Sequence, residues 1–86
     1  MKKIDVEIPE YDLQKGVQYS WENNFEIQTE LGDNAIVIKA NKAGLKSLAY
    51  QLLTLADVPD DKQVHLHYDV INSLEEGSIE LIIERI

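Results

Sequence analysis

The chain has 86 residues, of which 16 are acidic and 8 are basic, so its formal net charge at pH 7 is −8. A chain of this length supports one hydrophobic core, which predicts a single domain over residues 1–86. The negative charge opposes direct binding to nucleic-acid phosphates or to anionic lipid and favours a basic protein partner. The chain contains no cysteine, so it has no disulfide and no thiolate nucleophile.

Residues 4–8 alternate the apolar residues Ile4, Val6 and Ile8 with two acidic ones. This pattern is typical of a half-buried edge strand, and Pro9 would end it. The same charges interrupt the continuous apolar region that a secretory signal peptide requires. No apolar run approaches the roughly 20 residues of a membrane span. We therefore expect a cytoplasmic protein that makes no contact with a membrane.

The clearest hairpin in the sequence joins residues 25–30 to residues 35–40 through Leu31-Gly-Asp-Asn34. Gly, Asp and Asn tolerate the positive φ angles of tight turns, and the flanking runs alternate in polarity. Ile27 and Thr29 are expected on one face, with Ile38 and its alternate neighbours across from them. The segment before this hairpin, residues 11–24, is irregular, although Val17, Tyr19 and Trp21 share a period of two that could form a short strand.

One amphipathic helix follows the hairpin. Its apolar residues recur at spacings of three and four, which predicts one buried stripe. The stripe comprises Leu45, Leu48, Ala49, Leu52, Leu55 and Ala56. Asn41 is a suitable N-cap, and Val58-Pro59 ends the pattern. Gly44 lies in the first turn, which predicts close contact between the helix start and a strand.

Two further strands are predicted after the helix, over residues 63–69 and 78–84. In the first, Val64, Leu66 and Tyr68 point one way, whereas His65, His67 and Asp69 point the other way. Residues 70–77 form a loop with Leu74 as its apolar tether. In the last strand, Ile79, Leu81 and Ile83 would face the helix. Ile82 and Ile86 fall on the opposite face, which would then be covered by a second copy of the chain or by the irregular segment 11–24.

The predicted fold class is α+β. About five mostly antiparallel strands carry one amphipathic helix on one face, in the order β-β-β-α-β-β. The pattern leaves open whether the third and fourth strands are parallel neighbours or the helix returns the chain to the far edge of the sheet.

No catalytic constellation is evident, so we expect neither an enzyme nor a bound cofactor. The acidic pairs Asp60-Asp61 and Glu75-Glu76 lie in turns, where neighbouring side chains diverge into water. His65 and His67 would lie about 6–7 Å apart on one strand face, with Asp69 as a third candidate metal ligand. The same alternation is also typical of an ordinary solvated sheet face, so we expect no metal. A small metal-binding or homodimeric regulatory domain is the alternative function.

Several motifs in the second half of the chain resemble the immunity protein 32 family of bacterial polymorphic toxin systems. They are Asn41-Lys-Ala-Gly44-Leu45, the helix pattern that ends at Pro59, His65-Leu-His-Tyr-Asp69, and Leu74-Glu-Glu-Gly77-Ser78 with Glu80-Leu-Ile-Ile83. The resemblance covers Asn41 to Ile83. It implies a small cytoplasmic antitoxin that neutralises a cognate toxin, in many cases a nuclease, by covering its active site or a neighbouring exosite.

The resemblance also directs attention to the side chains that would contact the toxin. The candidates are the acidic and polar residues Asp69, Asn72, Glu75 and Glu76, with Trp21 or Tyr19 as an aromatic anchor. Trp21 has an alternative role as a cap on the rim of the core. A homodimer through the Ile82/Ile86 face or an edge strand is compatible with this function.

Overall fold

A computed structural model describes residues 1–86 and has the α+β class that the sequence predicts. Its elements are β1 (Ile27–Gly32), β2 (Ala35–Ala40), α1 (Lys42–Ala56), β3 (His65–Tyr68) and β4 (Leu81–Glu84). Two antiparallel hairpins, β1-β2 and β3-β4, flank the helix in sequence. The predicted five-strand order is not confirmed, because residues 4–8 and 17–21 form no strand.

The first hairpin has the predicted arrangement of faces. Ile27 lies opposite Ala40 and Thr29 lies opposite Ile38. Ile27 and Thr29 are buried against the body of the protein. The tight turn between the strands contains Asn34 with a φ of 58°, a conformation that Asn tolerates better than most residues.

The segment that leads into β4 joins the two hairpins. The Glu75 amide donates to the Ile27 carbonyl at 2.9 Å, and the Ile79 amide donates to the Thr29 carbonyl at 3.2 Å. The two segments therefore run in the same direction along the edge of β1 that β2 leaves free. Because β2 pairs only with β1 and β3 pairs only with β4, β2 and β3 are not neighbours. The helix instead leads the chain into a separate two-stranded sheet, so the predicted single sheet and its strand order are not confirmed.

The helix begins in close contact with the first hairpin. Asn41 is its N-cap, as predicted, and its Oδ1 accepts from the Gly44 amide at 2.7 Å and from the Glu26 amide at 3.0 Å. A Cβ on Gly44 would overlap the Glu26 carbonyl oxygen and lie 3.0 Å from Ile27 Cγ1. The predicted close contact at Gly44 is confirmed, since only glycine allows the helix and strand this approach.

The predicted apolar stripe of the helix is wrong at four of its six positions. Leu48 and Leu55 are buried, but Leu45, Ala49, Leu52 and Ala56 are exposed. The polar residues Ser47, Gln51 and Thr54 are buried instead. The helix is therefore rotated relative to the orientation that its apolar pattern alone would favour.

Residues 20–22 supply the reason for this rotation. Their backbone is irregular, so its polar groups need partners outside a sheet. Ser47 Oγ accepts from the Glu22 amide at 2.8 Å, and Gln51 Nε2 donates to the Ser20 carbonyl at 2.8 Å. Gln51 Oε1 also accepts from the Tyr68 hydroxyl at 2.6 Å. The inward polar side chains thus bind the irregular segment to the helix.

The core lies between the helix, both hairpins and residues 17–25. Its buried members are Ile27, Leu48, Leu55, Leu66, Tyr68 and Leu74. Leu74 is buried, as the predicted tether of the loop after β3. Burial raises the pKa of the Tyr68 phenol above its ordinary value of 10, and the nearby Tyr19 adds to this effect. The helix is neither long nor apolar enough to cross a membrane.

Candidate partner-binding surface

The outer edge of β3 is the centre of the candidate surface. The His67 amide donates to the Tyr19 hydroxyl at 3.0 Å, and the Asn72 side-chain amide donates to the His67 carbonyl at 3.1 Å. Two of the predicted site residues, which are far apart in sequence, therefore bind the same residue of β3. Their hydrogen bonds also satisfy backbone groups at this edge that would otherwise be open to another strand.

The loop after β3 is held in shape by its own side chains. Asp69 Oδ1 accepts from the Ile71 amide at 3.0 Å and from the Asn72 amide at 2.9 Å. Asn72 Oδ1 in turn accepts from the Asp69 amide at 3.1 Å. Both side chains are thus engaged within the loop, an arrangement that suits Asp and Asn in turns. The predicted site residues Asp69 and Asn72 fix the geometry of residues 69–74.

This loop presents two aliphatic side chains to solvent. Val70 is 50% exposed and Ile71 is 93% exposed. Sequence analysis missed them as candidate contacts. The available signal was an aliphatic pair enclosed between Asp69 and Asn72, since those residues favour a closed turn that turns the pair outward. A rigid exposed aliphatic side chain has little conformational entropy to lose when a partner covers it.

Glu75 and Glu76 lie at the other end of the same loop. The Glu75 amide is bonded to the Ile27 carbonyl of β1, which anchors this end of the loop to the first hairpin. Glu76 is exposed, and Gly77 follows it with a φ of 88°. The exposed aliphatic pair is therefore followed along the chain by two acidic residues at an anchored turn.

Trp21 and Tyr19 belong to an aromatic cluster that supports this surface from the core side. The Trp21 ring stacks on Phe25 at a centroid distance of 4.2 Å, and Tyr19 lies 6.0 Å from Trp21. Both residues are half-buried and pack against the core. Trp21 thus has the position of a core cap, one of its two predicted roles. Its role as a partner anchor stays a prediction.

The histidine face lies on the outer side of the second hairpin. His67 Nε2 is 2.9 Å from Glu80 Oε1 and 3.9 Å from Asp69 Oδ2. The His65 and His67 ring centroids are 6.5 Å apart. No group of three or more His, Asp or Glu side chains is arranged to hold a metal ion. The geometry therefore gives no support to the metal-binding alternative.

These observations describe a small α+β fold that presents a self-supported loop. The sequence model of the immunity protein 32 family matches residues 35–86, about three fifths of the chain. The chain therefore belongs to the immunity protein 32 family. No curated protein and no solved structure matches it.

The matched region contains β2, the helix and the whole second hairpin with its loop. It confirms the resemblance inferred from residues 41–83 and extends it at both ends. Four of the predicted site residues lie inside the match, in the loop after β3, whereas Tyr19 and Trp21 lie before it. Immunity proteins of this kind are generally not catalytic.

Proposed function

We propose that this protein binds a cognate polymorphic toxin and neutralises it by covering its active site or a neighbouring exosite. It acts in the cytoplasm of the cell that makes it. Membership of the immunity protein 32 family, over residues 35–86, is the observation that carries this proposal. Inhibition by steric cover requires only a stable complementary surface.

The negative charge of this protein favours a toxin partner with a basic active site, such as a nuclease that binds nucleic-acid phosphates. The chain carries a formal charge of −8, so long-range attraction would speed its association with such a cleft. The same charge disfavours direct competition for nucleic acid. The proposed partner is therefore the toxin protein itself.

The loop formed by residues 69–76 is the proposed centre of the contact. Ile71 is its most exposed apolar side chain and would enter a pocket on the toxin, while Glu75 and Glu76 would face basic side chains at the rim. Asp69 and Asn72 would act by holding the loop in its shape. Tyr19 would support the same region through its bond to His67, with Trp21 beside it.

A charge reversal at the rim tests the location of this contact. The double variant Glu75→Lys/Glu76→Lys should slow association with the co-purified toxin about tenfold at low salt, because rim charges act mainly on the association rate. Asp57→Lys/Asp61→Lys makes the same change in net charge beyond the C-terminal end of the helix and serves as the control. Equal slowing by both variants would show a general charge effect, and unchanged binding by the first would remove Glu75 and Glu76 from the contact.

The aliphatic anchor needs a separate variant. Ile71→Ser removes an exposed side chain, so the stability of the free protein should change by less than about 0.5 kcal/mol. If Ile71 enters a toxin pocket, the complex should dissociate at least tenfold faster. Dissociation at the normal rate would place the apolar anchor elsewhere on the surface.

A further inference from the structure

Strand β2 has an outer edge that nothing in the structure covers. In an antiparallel pair, alternate residues direct their peptide groups away from the partner strand. On β1 these residues include Ile27 and Thr29, whose carbonyls are bonded to residues 75–79. The residues that lie opposite them on β2 are Ala40 and Ile38. Their peptide groups point away from β1, where the chain provides no hydrogen-bond partner.

This open edge differs from the outer edge of β3. The corresponding edge of β3 is closed by the side chains of Tyr19 and Asn72, which bind the peptide groups of His67. Natural proteins commonly protect such edges with charges or prolines. The six residues of β2, Ala-Ile-Val-Ile-Lys-Ala, instead have one charge and no proline.

Residues 3–8 form the complementary feature. They alternate apolar and charged residues as a strand would, yet they form no strand and are almost entirely exposed. Val6 and Ile8 line a shallow groove with Leu53 and Ala56 near the C-terminal end of the helix. Leu53 lies about 16 Å along the helix axis from the residue where the helix begins, next to β2. In one copy of the chain, the segment therefore lies far from its own β2 edge.

Charge also matches the segment to this edge. Every one of the 16 acidic residues lies outside residues 34–56, a region that carries three lysines, Lys39, Lys42 and Lys46. Residues 3–8 include the acidic residues Asp5 and Glu7. The open edge thus lies in the longest stretch of the chain without an acidic residue, and the nearby Glu30 of β1 is paired with Lys39.

We propose that residues 3–8 of a second copy add to the outer edge of β2, and that the exchange is reciprocal in a two-fold homodimer. Each copy offers the open β2 edge and one unpaired segment, so a symmetric pair satisfies both. This inference goes beyond the proposed toxin binding and does not depend on it.

The alternation of the two segments agrees with this pairing. If Val6 lies on the same face as Ile38, the apolar residues of the added segment and of β2 together extend the buried face of the first hairpin. Glu7 then lies on the opposite face, the face that carries Lys39. Lys39 Nζ is 3.1 Å from Glu30 Oε1 of β1. The added strand would place a second carboxylate, that of Glu7, on the side of Lys39 that faces away from β1.

The test is sedimentation velocity of the full chain over a range of concentrations, combined with hydrogen exchange at the Ile38 amide. Ile38→Pro removes an amide that points away from β1, so the hairpin keeps its own hydrogen bonds while the edge is blocked. Val6→Pro disables the segment at an exposed position and leaves the folded body unchanged. Ile82→Thr, at an exposed position on the second hairpin, is the matched control.

We expect a concentration-dependent dimer with a slowly exchanging Ile38 amide. Ile38→Pro and Val6→Pro should each raise the dimer dissociation constant at least tenfold, and Ile82→Thr should leave it unchanged. Glu7→Lys should also weaken the dimer, and adding Lys39→Glu should restore it.

Three results would overturn the proposal. The first is a monomer at every concentration, including a monomer whose Ile38 amide is protected by its own N-terminal segment. The second is a dimer that Ile82→Thr disrupts and the two proline variants do not. The third is an edge that binds only the toxin, shown by loss of toxin binding in Ile38→Pro while the free wild-type protein stays monomeric.

Discussion

Replacing Gly44 with alanine is expected to destabilise the protein, although alanine is the better helix former. An added Cβ would overlap the Glu26 carbonyl oxygen and lie 3.1 Å from the Ala40 Cβ. The Glu26 carbonyl cannot easily move, because it accepts from the Asn41 amide at 3.1 Å. The helix start must therefore shift away from the hairpin, which also strains the hydrogen bonds of the Asn41 cap.

The free energy of unfolding should fall by about 2 kcal/mol. Overpacking costs about 1–3 kcal/mol and a weakened cap about 1 kcal/mol, against a gain of about 1 kcal/mol from replacing glycine within a helix. Urea unfolding followed by circular dichroism measures this change. Gly32→Ala is the matched control, because its Cβ would meet no atom closer than 3.8 Å and its φ is not positive. A Gly44→Ala protein as stable as the wild type would refute this account of the helix contact.

Two more predictions concern the buried side of the helix. Tyr68→Phe should cost about 1–3 kcal/mol at neutral pH, since it leaves buried Gln51 Oε1 without its donor. The folded state raises the Tyr68 pKa above 10, so the unfolded chain releases this proton at a lower pH than the folded protein does. The free energy of unfolding of the wild type should therefore fall as the pH rises beyond about 10. Urea unfolding at alkaline pH should show a smaller fall for Tyr68→Phe. Leu55→Ala should cost about 2–5 kcal/mol and Leu52→Ala less than about 1 kcal/mol, because Leu55 is 5% exposed and Leu52 is 45% exposed. If urea unfolding showed equal losses of unfolding free energy for Leu55→Ala and Leu52→Ala, the observed orientation of the helix would be contradicted.

Local signals in the sequence were sufficient for the helix and the first hairpin. The Asn41 cap and the turn before Ala35 depend on residues near in sequence and on well-known backbone preferences. A glycine in the first turn of a helix was itself the signal for the close contact at Gly44. The alternation around His67 also predicted correctly which side of β3 is buried. These features required no knowledge of distant contacts.

The orientation of the helix could not be predicted in this way. Ser47 and Gln51 turn inward because residues 20–22 need hydrogen-bond partners, and no periodicity in the helix records that requirement. The aromatic segment around Trp21 also depends on contacts with residues distant in sequence. Its own pattern therefore could not show whether it forms a strand or covers the core without one. Residues 4–8 have a strand pattern but lack a neighbouring edge within their own copy.

The sequence indicates candidate contact residues in the loop after β3 but does not show how they are held, and their role in binding stays a prediction. Charge and polarity alone mark Asp69 and Asn72 in the sequence, and the structure shows that they bind each other. The exposure of Ile71 follows from that closed turn and becomes visible only once the hydrogen bonds are known. The bond between Tyr19 and His67 joins segments 48 residues apart in sequence, which no local pattern could reveal.

The most direct test of the proposed function is recovery of the tagged protein from its own cells, followed by mass spectrometry and co-expression. The account predicts that a protein encoded next to it co-purifies in stoichiometric amount. That neighbour's C-terminal domain should kill or arrest cells alone and be harmless when this protein is present. Recovery of the protein alone from cells that express the neighbour, or toxicity that persists on co-expression, would contradict the proposed neutralisation.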